Sequence, residues 1–136
     1  MDVIKPKNII ESICLEELAL EKFMILSNIE TVPGLKIAGM YGVVSGSTVR
    51  AKHIGKDLMA GIKNTFGGEL KGYTELLEES RKEATQRMIK QAEALGANAI
   101  INVRYATSAI TTGAAEVFAY GTAVKVAKPQ VQKQGE

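Results

Sequence analysis

Of the side chains that most often do chemistry, this chain has one cysteine, Cys14, and one histidine, His53. Soft and borderline metal ions take three or four Cys or His ligands, usually in tetrahedral geometry. The two residues stand 39 positions apart, and neither CxxC nor HxxxH occurs. The spacing argues against an intrachain heavy-metal site built from them. Several copies of His53 or Cys14 gathered on the axis of an assembly are the remaining route to a metal. Taken singly, Cys14 reads as a small buried hydrophobe, and His53 as a helix-start or interface residue. Nucleophilic catalysis is as poorly supplied. There is no GxSxG elbow, and the sole histidine would serve any Ser or Cys nucleophile alone. GVVSGS at 42–47 lacks both the GK[ST] of a P-loop and the GxGxxG spacing. Glu75, Glu78, Glu79 and Glu83 read as the solvated face of a helix. The expectation is a chain that is not an enzyme, with no cofactor and no metal site of its own.

Basic residues are better grouped. Arg50, Lys52, His53 and Lys56 precede or open an expected helix, where free backbone N–H groups attract anions. They are the candidate anion site, which an assembly would repeat once per subunit and so concentrate positive potential. The plain alternative is a solvated loop. Arg81 lies between the inner stripe and the wet face of a second expected helix. Its expected role is to reach a carboxylate or a main-chain carbonyl across a subunit boundary, with simple exposure as the alternative.

The elements that must position these residues follow from the apolar pattern. Residues 1–22 form a leader, in which Asn8 and Glu11 resemble a capping box. Phe23–Ser27 reads as a short strand and Pro33-Gly34 as a turn. Ile37–Gly46 reads as a strand apolar on both faces, with Ile37, Tyr41 and Val43 on one and Ala38, Met40 and Val44 on the other. Ile54, Leu58, Ile62 and Phe66 recur every four residues, which predicts a helix over 53–66 that Gly67-Gly68 ends. Tyr73–Leu95 is the most regular helix, its inner stripe being Tyr73, Leu77, Ala84, Met88, Ala92 and Leu95. Glu78 with Lys82 and Glu83 with Arg87 pair along its wet side. Ala99–Thr107 alternates as a strand, with Ile101, Val103 and Tyr105 facing one way. Val117–Val126 is the last strand, with Phe118, Tyr120, Thr122 and Val124 on its bulkier face. Residues 128–136 read as a flexible tail.

The order strand, strand, helix, helix, strand, strand predicts an α+β domain over 23–127. In it a mainly antiparallel sheet carries two helices on one face. Two helices cover one side only, so the second apolar face is expected to be an interface between copies of the chain. The alternative is that the leader folds back over it.

Composition narrows the partners. The 136 residues carry 17 Lys and Arg against 15 Asp and Glu, too even a balance for a general nucleic-acid binder. With no Trp, three Phe and four Tyr, a stacking platform for single strands is not expected. A single cysteine suits a reducing compartment. No apolar run reaches the about 18 residues of a membrane span. The cytoplasm is the expected location.

From Phe23 onward the chain resembles the YbjQ-like family of bacterial and archaeal proteins, whose label is heavy-metal binding. The resemblance is carried by GVVSG at 42–46, MAGIKNTFGGE at 59–69, Tyr73, Arg81 and Ala84. ALGANAI at 94–100 and YGTAVKV at 120–126 continue it. It implies a dodecin-like subunit of a pentameric ring in which extra strands join neighbours. It implies backbone-shaping roles for Gly46, Gly67, Gly68, Gly96 and Gly121, and carries no catalytic residue. The function expected is a homo-oligomeric module binding a small ligand or ion. The alternative is a metal-binding protein with ligands shared between subunits.

Overall fold

The stretch with the inner stripe of Tyr73 to Leu95 becomes a helix, and the apolar stretches on either side of it supply long strands. A computed structural model describes residues 8–9, 23–51 and 71–131. In chain order its elements are β1 (Ile25–Leu26), β2 (Lys36–Ala51), α1 (Lys71–Ala94), β3 (Ala99–Thr111) and β4 (Ala114–Ala127). The strands form one sheet in the order β1-β3-β4-β2. β4 runs antiparallel to both β2 and β3, whereas β1 joins β3 in parallel through Ile25 and Leu26. The fold is therefore α+β with a mixed sheet and, among the described residues, one helix. The expected helix over 53–66 lies outside the described residues, as do residues 10–22 of the leader. No helix among the described residues is long and apolar enough to cross a membrane.

The helix docks through small residues. Ser80, Ala84, Met88 and Ala92 are buried at four-residue spacing against Val44, Val117, Ala119, Ala123, Ile100 and Val103. Gly46 allows the approach. A Cβ there would lie 2.2 Å from the Ala84 carbonyl oxygen and 2.5 Å from the Met88 nitrogen. Leu77 and Leu95 share the stripe's direction but remain exposed, and Ser80 takes an inner place the pattern had not given it. What lies opposite a residue decides its burial, not the helical period alone. Gly96, at φ +84°, ends the helix while the Ala97 N–H donates to the Ala92 carbonyl at 3.1 Å.

Three bulges correct the expected strand faces. Directly opposed residues of an antiparallel pair share a face. The register of β2 shifts between Ile37 and Gly39 and again between Met40 and Gly42. Each shift inserts a residue, so Ile37, Met40 and Val43, opposite Val126, Val124 and Thr122, share the face away from α1. Met40 thus leaves the side expected of it. In β3 the shift between Ile101 and Arg104 centres on Asn102, at φ +51°, a conformation that Asn tolerates better than most residues. Ile101 consequently packs with Val124 and Val126, while Val103 packs beneath the helix. The expected grouping of Ile101 with Val103 and Tyr105 does not hold.

A second, smaller core lies on the far face. Val32 packs there with Ala99, Ile101, Val124 and Val126, and Ile25 and Leu35 close its margin. The buried Asn98 side chain fastens this end, accepting from the Val126 N–H at 2.7 Å and donating to its carbonyl at 2.9 Å. Further along the same face nothing among the described residues continues the cover. Val43, Met40 and Val49 keep 75%, 74% and 59% of their surface exposed. Beside them the rings of Phe118 and Tyr120 stack at 5.4 Å.

Candidate functional site

β2 runs on to Ala51, past the expected end at Gly46, because Ser47, Thr48 and Val49 continue the pairing with Phe118, Val117 and Glu116. Thr and Val are favoured on such a pleated surface. Arg50 is therefore a strand residue, which corrects its expected place in a loop before a helix. It stands on the same face as Gly46 and Thr48, the face that α1 covers.

On α1 the four-residue spacing of Glu79, Glu83, Arg87 and Gln91 sets a polar line beside β2. Glu83 lies between two guanidinium groups. Its Oε2 accepts from Arg50 Nη2 at 2.5 Å and its Oε1 from Arg87 Nη2 at 2.5 Å. Glu79 lies 4.0 Å from Arg50 Nη1. Arg87 also donates through Nη1 to the Ser47 carbonyl at 2.6 Å, and Gln91 Oε1 accepts from the Ser45 N–H at 2.7 Å. Both main-chain groups belong to the outer margin of β2, which is a terminal strand of the sheet.

The Arg50 hydrogen bond, above all, holds the Glu83 carboxyl below the usual carboxylate range. The charges of Arg87 and Arg50 add to this, against the opposing effect of desolvation. These residues line a groove of about 500 Å³ with Lys82, Gln86 and Lys90. Among the described residues four cations thus line it with two carboxylates, both of which lie beside Arg50. Among the described residues no carboxylate comes within 4.0 Å of Lys82 or Lys90.

Of the expected site residues that are described, Arg50 lines this groove. Lys52, His53 and Lys56 lie outside the described residues, as does Cys14. Arg81 is exposed on α1 away from the groove. Its carbonyl accepts from the Thr85 hydroxyl, which also meets the Tyr105 hydroxyl at 2.9 Å. Sequence reasoning paired Glu83 with Arg87 and missed that Arg50 shares the same carboxylate from 33 residues away. The four-residue recurrence of Glu79, Glu83, Arg87 and Gln91 marked one line of the helix, but a polar line reads as a wet face and carries no sign of the strand beside it.

A family model described as "Putative heavy-metal-binding" (YbjQ_1) matches residues 24–127. A UPF0145 protein of Hahella chejuensis is 63% identical over 101 residues, covering 74% of this chain and 97% of that protein. Another, of Archaeoglobus fulgidus, is 55% identical over 107 residues, covering 79% of this chain and 99% of the relative. Among solved structures, a DUF74-family protein of unknown function from Pediococcus pentosaceus aligns with a TM-score of 0.53. It is 18% identical and covers 76% of this chain and 98% of its own, a likeness of fold. The one Cys and one His that a heavy metal would favour, Cys14 and His53, lie outside the described residues. Among the described residues no three His, Cys, Asp or Glu side chains come together, and Glu79 and Glu83 are turned to Arg50. With a model spanning 24–127 and relatives more than half identical, the chain belongs to the YbjQ-like family.

Proposed function

We propose that this chain is a non-enzymatic, homo-oligomeric module of the cytoplasm that binds a small ligand or ion, with five dodecin-like copies closing a ring. One observation carries the reading: the far face of the sheet presents large apolar side chains that, among the described residues, are half uncovered. The bulges of β2 bring Ile37, Met40 and Val43 onto that single face, and Val49, Phe118 and Tyr120 extend it. Apolar surface left in water costs about 25 cal/mol per Å² relative to burial, and contiguous patches of this kind mark interfaces. A second copy is the natural cover, since most assemblies of soluble chains join like with like. The number five comes from the family resemblance. Nucleic acid and membrane are not among the partners proposed.

Light scattering on the purified chain at micromolar concentration tests this. Wild type is expected at the mass of five chains, and Val43→Asp as smaller species with unchanged far-ultraviolet dichroism. A wild-type monomer would end the reading. A second reading, a metal held by Cys14 or His53 from several subunits, has the family description in its favour. Stoichiometric transition metal that survives chelation in wild type and disappears in His53→Ala would establish it.

A further inference from the structure

We propose that the groove between the end of β2 and α1 is a site for a small phosphate-bearing anion, whose place Glu83 holds when no ligand is present. This rests on the reading of the chain as a small-ligand module and names the ligand's class. One carboxylate serves two arginines from different elements, Oε2 on Arg50 and Oε1 on Arg87. A guanidinium has five donors in a rigid fork that suits phosphate as well as carboxylate. Glu83 has no oxygen to spare beyond these two, whereas a phosphate brings a third and fourth. Lys82 and Lys90 line the same groove and have no carboxylate partner among the described residues. A phosphate seated on the two arginines would offer them its remaining oxygens.

One receiving group is held in advance. The bond from Arg87 Nη1 to the Ser47 carbonyl fixes that arginine against the strand while Nη2 faces Glu83. The backbone of Arg50 is fixed by the pairing of its strand with β4, and Glu79 lies 4.0 Å from its Nη1, whereas Glu83 bonds to Nη2. The occupant that must leave has a way out: the Glu83 side chain is 34% exposed, beside 38% for Arg50 and 54% for Arg87, and can turn toward water. The groove's volume of about 500 Å³ falls in the range of small-ligand pockets.

Calorimetric titration of the full chain with pyrophosphate tests the proposal, with citrate as a carboxylate control. Glu83→Gln keeps the side chain's shape and removes the competing charge, so pyrophosphate affinity is expected to rise roughly tenfold. Arg50→Gln and Arg87→Gln are each expected to lower it by a similar factor, with Arg50→Lys between. Equal affinities in wild type and Glu83→Gln, binding that survives loss of both arginines, or tighter binding of citrate than of pyrophosphate would each overturn it. Masses from light scattering on the same samples keep the two readings apart. An oligomer whose titrations fail loses the anion site alone, and a monomer whose titrations behave as expected loses the assembly alone.

Discussion

Val44 and Thr48, pointing at α1, are buried, while Val43 and Val49, their immediate neighbours along β2, stand largely in water. The same strand therefore has two unlike sides. The helix side mixes small residues, Gly46, Ala84, Ala119 and Ala123, with the buried Met88 and Ile100, and at Gly46 the helix backbone comes onto the sheet backbone. The far side presents Met40, Val43, Phe118 and Tyr120, with a partial cover from Val32 and Leu35 at one end. Close packing makes the first side intolerant of added or removed atoms. Along half its length the second has no neighbour among the described residues, so change there is expected to register through whatever covers it.

Gly46→Val gives the harshest test of that difference. The new side chain would begin 2.2 Å from a helix carbonyl oxygen, so α1 must lift. A loss of about 4 kcal/mol or failure to fold is expected in urea denaturation. A mild effect would mean the helix is not seated as described. Met88→Ala comes next. It deletes a fully buried side chain of the larger core, at an expected cost of about 3 kcal/mol in the same experiment. Val49→Thr, on the far side, keeps the branched shape and is expected to change stability by under about 0.5 kcal/mol at high dilution. A penalty that grows with protein concentration would show that another copy covers Val49, which would sharpen the contrast between the faces.

The helix side was legible in the sequence because its signals are local. Tyr73–Leu95 was expected and Lys71–Ala94 is found, with Gly96 as the stop in both. The shared face of Phe118, Tyr120, Thr122 and Val124 was also readable, since β4 opposes β2 without a shift through that stretch, from Thr122 to Phe118. The alternation of β2 and β3 was not readable. A period of two presumes one residue per step, and the inserted residues at Ala38, Tyr41 and Asn102–Val103 break it. Their faces depend on pairing with β4, in which Met40 meets Val124 and Ile101 meets Thr122. The site was half legible for the same reason. Arg50 was singled out by its charge, but its partner is chosen by how β2 and α1 lie together, and no spacing along the chain announces that.

The bonds from Gln91 and Arg87 to Ser45 and Ser47 have a consequence for crowding in the cell. A terminal strand with vacant amides and carbonyls is a template on which further chains can stack without limit. Here two side chains from the protein's own helix occupy that template near its middle. Copies meeting at this margin find no uninterrupted ladder to extend, so self-association is steered away from fibre growth and toward contacts that can close.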